Sequence, residues 1–155
     1  LPCRHGHLSD MGRTRTPGRA RAPGQTRTGK STRTAKGLRK QALGSRGEDL
    51  AAAFLEDAGL VVLKRNFRCA RGELDIIARD GDTAVFVEVK TRRTAMLGSP
   101  LEAVTRTKLA RIRTLAGIWL SGQDEFFPAT RIDALGIIME PRVQYFHCPN
   151  IQVDS

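Results

Sequence analysis

Glu88-Val89-Lys90 ends an otherwise apolar run, Ala84-Val85-Phe86-Val87-Glu88-Val89-Lys90, by placing a carboxylate and an ammonium in it. Such a run reads as a strand buried on both faces. Side chains alternate along a strand, so Glu88 and Lys90 point the same way. Charges are kept out of core strands unless they are paired or bind a metal. An acid and an amine side by side there fit metal-dependent chemistry better than packing. The plainer reading, a solvated ion pair on an edge strand, accords poorly with apolar neighbours on both faces.

Asp75 supplies a second acid. Glu73–Arg79 and Thr83–Thr91 both have strand composition, and Asp80-Gly81 between them is a strong hairpin signal. If Asp80-Gly81 is a two-residue turn, Asp75 faces Phe86 and Glu73 faces Glu88. Asp75 and Glu88 are then diagonal neighbours on one face, with Cα atoms roughly 7–8 Å apart or less. A four-residue loop puts Asp75 directly opposite Glu88, and an unbulged three-residue loop puts it on the other face. Glu73 adjoins this group or is merely solvated.

A third acid comes from a helix. From Leu43 to Ala58, apolar residues fall at 43, 50, 51, 54, 55 and 58, a helical period, and Gly59 suits the C-terminal cap. The fold is expected to begin near Leu43. Glu48 shares a side with Ala51, Ala52 and Leu55, so it faces inward or lies at the edge of the buried stripe. The competing reading is an ordinary first-turn acid favoured by the helix dipole.

Glu48, Asp75 and Glu88 offer oxygen ligands suited to Mg²⁺ or Mn²⁺, and the Val89 carbonyl could add another. Such a metal polarises a phosphate and lowers the pKa of a bound water. Lys90 would orient or help deprotonate that water, or stabilise the transition-state charge. The expected reaction is hydrolysis of a phosphodiester. Thr91, Arg92 and Arg93 leave the strand beside Lys90 and are candidates to hold the phosphate or the DNA backbone, with plain surface charge as the alternative.

The remaining elements must position these groups. Leu60–Leu63 reads as a short strand, continued by a polar rim over Lys64–Arg68. A second helix is expected with Ser99 as N-cap, Pro100 at its first position and Glu102 completing a capping box. Its apolar face would use Leu101, Val104, Leu109, Ile112, Leu115, Ala116 and Trp119. Arg106, Lys108, Arg111 and Arg113 lie on its polar side, most simply as a solvated face. Thr130–Ile138 and Val143–Phe146 look like later strands, Asp133 a structural residue, and Trp119 and Phe54 core. Helix, three strands, helix and one or two strands indicate an α/β or α+β fold around a mixed central sheet flanked by helices.

The 155 residues suit one domain, and 40% are hydrophobic. No run approaches the ~20 apolar residues of a membrane helix, and the basic N-terminus has no apolar core of a secretory signal. Cys3, Cys69 and Cys148 are scattered and odd in number, which argues against a disulfide framework or a zinc site and fits a reducing cytoplasm. Residues 1–40 hold eleven of the 26 basic residues and one of the 16 acidic ones, leaving fifteen of each elsewhere. The net charge of +10 and the pI near 10.5 therefore belong to the tail and say nothing of the domain at 41–155. That tail is rich in Arg, Thr, Gly and Pro, repeats Thr-Arg-Thr, and is expected to be disordered. It would grip phosphates nonspecifically, or serve as a solubilising extension, or lie upstream of a start at Met11. His5 and His7 within it read as incidental. Aromatic residues are only 5%, which disfavours a stacking platform for single strands and favours duplex or branched DNA held by its backbone.

Gly47-Glu48, Arg65-Asn66, Gly72-Glu73-Leu74-Asp75-Ile76-Ile77-Ala78, Phe86-Val87-Glu88-Val89-Lys90-Thr91-Arg92 and Lys108 together resemble the YraN family. That is a bacterial family of predicted endonucleases, similar in turn to archaeal Holliday-junction resolvases and to the restriction-endonuclease-like fold with its E…D…E-x-K motif. The resemblance covers about residues 40 to 150. It implies that Glu48, Asp75, Glu88 and Lys90 are the acidic and lysine positions of that motif, and it adds Lys108 to the candidate DNA contacts. Leu74 stands where a proline often precedes the aspartate. The implied protein is a metal-dependent DNA endonuclease, with branched DNA as a candidate substrate and a homodimer suited to symmetric cleavage. A non-catalytic nucleic-acid-binding protein of the same fold is the main alternative. An assembly or ribosome-associated adaptor is a third.

Overall fold

The structure, a computed structural model, describes residues 34–152. Two helices and five strands follow one another as α1 (Ala35–Asp57), β1 (Val61–Cys69), β2 (Gly72–Asp80), β3 (Thr83–Arg92), α2 (Arg106–Ser121), β4 (Ala129–Ile138) and β5 (Gln144–Cys148). The strands form one sheet in sequence order. β1–β2, β2–β3 and β4–β5 are antiparallel, whereas β3 and β4 are parallel, joined through α2 as a parallel connection requires. The fold is α+β, with a mixed sheet between two helices.

Pleat alternation builds a core on each face. Ala51, Ala52 and Leu55 of α1 pack with Ile76, Ala78, Val85, Val87, Leu135 and Ile137. On the other face Ile112, Leu115, Ala116 and Trp119 of α2 pack with Leu74, Ile77, Ala84 and Phe86. Trp119 meets Phe86 edge-on at 5.9 Å between centroids, as quadrupoles favour. Phe54 is a half-buried outer member of the α1 core and stacks on Tyr145 of β5 at 4.8 Å.

The expectation of a strand buried on both faces holds for Ala84–Val87, while Glu88 and Val89 are half-buried and Lys90 is exposed. β3 thus runs from the core out to the surface, carrying its charges at the exit.

Four boundaries differ from the sequence reading, each for a local reason. α1 starts at Ala35, capped by the Thr34 hydroxyl, rather than near Leu43, so 34–40 do not belong to a structureless tail. Its first turns are almost wholly exposed and carry no apolar period to betray them. The tail expected over 1–33, with Cys3, His5 and His7, lies outside the described residues. β1 is one strand through Cys69, with a register shift between Val62 and Lys64. Ser99 and Pro100 start only a short 3-10 turn, Pro100–Ala103, because extended Val104 breaks the helix, and α2 starts afresh behind the Thr105 cap. Leu101 and Val104 are therefore not on α2. β5 starts at Gln144 and runs to Cys148, instead of spanning Val143–Phe146.

Candidate functional site

The β2–β3 hairpin turns at Gly81-Asp82, since Asp80 pairs with Thr83. Gly81 has φ +56°, and glycine at the first loop position is the pattern of a type II′ turn. The ladder then runs to Ile77↔Phe86 and Ile76↔Val87, so the pairing of Asp75 with Phe86 is corrected. Continued by one step, the register sets Asp75 opposite Glu88, the arrangement of the four-residue alternative. The ladder itself stops at Ile76. Beyond it the Val89 N–H donates to Asp75 Oδ2 at 2.8 Å, so a side chain takes the place of a backbone partner. A strand residue's N–H and carbonyl face the same neighbour, which turns the Val89 carbonyl toward Asp75 as well.

The electrostatics of this opening are strained. Burial and then the Glu88 charge push the Asp75 carboxyl up to about 7, with a smaller push from Glu48, against opposition from the Val89 N–H and Lys108. Glu88, 13% exposed, is held by Lys108 of α2 at 3.0 Å. Lys90 shares the Glu88 face and has no ion pair or hydrogen bond among the described residues.

Glu48 meets the group at its margin. Its Oε2 accepts from Asn66 Nδ2 at 2.9 Å. Asn66 lies between the pairs Arg65↔Ile76 and Phe67↔Leu74, level with Asp75, and adopts φ +51°, a left-handed conformation that Asn tolerates better than most residues. α1 can approach here because Gly47 lacks a side chain: a Cβ would overlap the Thr91 side chain. Among the described residues no group of three or more His, Cys, Asp or Glu side chains is placed to hold a metal ion. The close acids are therefore the pair Asp75 and Glu88, with Glu48 outside it.

The expected DNA contacts are spread more widely than their sequence adjacency suggests. Thr91 faces Gly47 of α1. Arg92 donates to the Leu97 and Gly98 carbonyls. Arg93 pairs with Glu140 at 2.9 Å and Lys108 with Glu88. Glu73 pairs with Arg68 on the surface. Asn66 carried a signal, an asparagine in a polar strand rim, but no periodicity points to it.

A second acid, Asp133, is fully buried on the α1 side of β4. It receives Arg131 Nε at 2.9 Å, His147 at 3.0 Å and the Asn150 N–H at 2.9 Å. Arg131 also reaches Asp80, which ties the hairpin end to β4.

A five-stranded mixed sheet thus lies between two helices, with Asp75 and Glu88 where β2 and β3 part. The chain belongs to the uncharacterised protein family UPF0102, the YraN family, whose model matches residues 47–137. Of the site residues named above, all but Glu140, His147 and Asn150 fall in that span. A UPF0102 protein of Nocardia farcinica is 56% identical over 102 residues, covering 66% of this chain and 80% of its own. One from Beutenbergia cavernae is 52% identical over 99 residues, covering 64% and 84%. One from an Arthrobacter species is 44% identical over 110 residues, covering 68% and 93%.

Proposed function

We propose that the protein is a metal-dependent DNA endonuclease that hydrolyses phosphodiester bonds at the opening between β2 and β3. The carrying observation is the Asp75 carboxyl set into that opening against Glu88, with its acid form favoured up to about pH 7 by burial and then by the Glu88 charge. A structural acid is paired, whereas this pair shares one lysine.

The residues fit a hard divalent cation. Asp75 and Glu88 offer carboxylate oxygens, the Val89 carbonyl faces the same way, and Glu48 adds charge at the margin. Mg²⁺ or Mn²⁺ suits such donors and keeps several waters of its own. When bound, the metal supplies Lewis acidity toward the phosphate and a more acidic water. Lys90, exposed and unpaired among the described residues, would orient the attacking water or neutralise the developing charge. Lys108, which pairs with Glu88, would be free to meet a phosphate where a bound cation took over that carboxylate. Duplex or branched DNA is the favoured substrate, because the main aromatics of the α2 side, Trp119 and Phe86, are buried rather than displayed to bases.

The test uses full-length protein with linear duplex, single-stranded, flap and four-way-junction DNA, in Mg²⁺, Mn²⁺ or chelator. Cleavage is expected with metal, and Asp75→Ala and Lys90→Ala are expected to abolish it while DNA binding persists. Cleavage surviving in both variants would refute this site. Binding without cleavage of any substrate would favour a non-catalytic nucleic-acid-binding protein.

A further inference from the structure

The chain leaving β3 ends in an exposed apolar tip. Met96 is 90% and Leu97 79% exposed, within the short 3-10 turn Ala95–Leu97. The tip is firmly rooted. The Met139 and Glu140 N–H groups donate to the Arg92 and Arg93 carbonyls at 3.0 and 2.8 Å. The Gly98 N–H closes the turn on the Ala95 carbonyl at 3.0 Å. Arg92 braces it from below through the Leu97 and Gly98 carbonyls. Gly98, at φ +80°, makes the bend that returns the chain toward Pro100.

Two adjacent large apolar side chains held in water on a braced turn form a compact contact surface. Their position says what they meet. The same strand carries Lys90 six residues before Met96, and the tip's root is flanked by Arg92 and Arg93. Apolar side chains on a turn rooted by Arg92 and by Arg93, the latter paired to Glu140, match the way proteins wedge Met, Leu or Phe between base pairs and kink a duplex. A second copy of the chain fits less well. Two side chains bury far less than the roughly 1,200 Å² that a stable interface needs.

We infer that Met96 and Leu97 form a wedge that enters a base step of duplex or branched DNA next to the phosphate to be cut. Arg92 is the positioning residue that holds the wedge at its angle. Substrate choice then follows deformability: steps already unstacked, as at a junction, accept the wedge at lower cost than a stacked duplex. This inference rests on the endonuclease reading above.

The experiment compares wild type with Met96→Ser/Leu97→Ser, both full-length, in chelator so that binding is read without cleavage. The probes are a four-way junction and a linear duplex, each with 2-aminopurine as a stacking reporter. Wild type should raise the reporter's fluorescence on the junction. The double variant should lose that rise and bind the junction roughly tenfold more weakly, the scale of burying an apolar side chain. Its affinity for linear duplex should stay within about twofold, since phosphate contacts set it. Met96→Leu/Leu97→Met should restore the fluorescence. Retained fluorescence and junction affinity in the double variant would overturn the wedge while leaving the endonuclease reading intact. A change in sedimentation coefficient would reassign the tip to self-association and likewise overturn it. A wild type that binds no DNA at all would overturn both.

Discussion

Asp75 and Asp133 are two acids within one sheet that the chain treats in opposite ways. Asp133 is fully buried, yet an arginine, a histidine and a backbone N–H meet its two oxygens. Asp75 is less buried, receives one backbone N–H, and faces another carboxylate. Under the proposed function, burial does not mark the functional acid. Incomplete compensation does, because a carboxylate short of partners and beside a like charge is one that an external cation can serve.

The sharpest way to break the contrast is to remove each acid in turn. Asp75→Ala should lower metal-dependent cleavage by about a hundredfold or more, the scale of losing one preorganised electrostatic group, while leaving the fold intact in circular dichroism. Asp133→Ala should do the reverse. It strands His147 and leaves Arg131 with Asp80 alone, and breaking such a buried pair costs about 3–5 kcal/mol, readable as a fall in urea midpoint. If Asp133→Ala proves as stable as wild type, Asp133 is not the structural member of the pair.

A smaller effect is expected at the helix contact that brings Glu48 near. Gly47→Ala forces a Cβ against Thr91 Oγ1 and should cost about 1–3 kcal/mol as overpacking, again by denaturant unfolding. An unchanged midpoint would mean that α1 shifts freely over β3.

The pH dependence of stability separates the acids further. Asp75 holds its proton up to about pH 7 in the fold, against 3.8 ordinarily. Between those values the folded state binds the extra proton, so this group's contribution to stability falls as pH rises through the window and is lowest above 7. Asp75→Asn removes that dependence. In chelator, its melting temperature should exceed the wild-type value near pH 8 by an amount on the order of 1 kcal/mol, or about 4–8 °C, and the gap should close toward pH 4. A gap that widens toward acid would contradict the sign.

Lys108→Ala is the mildest test. Loss of one phosphate contact should reduce the slope of log affinity for DNA against log salt by about one. An unchanged slope would confine Lys108 to its ion pair with Glu88.

Much of this contrast was legible in the chain itself. The apolar run with Glu88 and Lys90 at its end, the hairpin before it and the placing of Asp75 on the Glu88 face all follow from period-two alternation and a turn signal. The register was not settled, because Asp80-Gly81-Asp82 places glycine between two equally plausible turn partners, and pairing Asp80 with Thr83 depends on tertiary support from Arg131. Asn66 enters the sequence reading only through the family resemblance and without a role, since a left-handed residue in a strand leaves no periodic trace. Thr105 lost to Ser99 as the cap of α2 because Ser-Pro-x-Glu is the stronger local signal, although it begins only a single 3-10 turn. The partners of Asp133 come from residues 131, 147 and 150, a grouping that only the closure of β5 against β4 creates.

Titration of Mn²⁺ into full-length wild type, Asp75→Asn and Asp133→Asn, followed by electron paramagnetic resonance of the free ion, puts the two acids against each other directly. Wild type should bind Mn²⁺ at a site that Asp75→Asn weakens at least about tenfold, the effect of removing one charged ligand from a hard-ion site. Asp133→Asn should bind as wild type does. Equal binding by all three proteins, or binding lost only in Asp133→Asn, would contradict the assignment of the β2–β3 opening as the metal site.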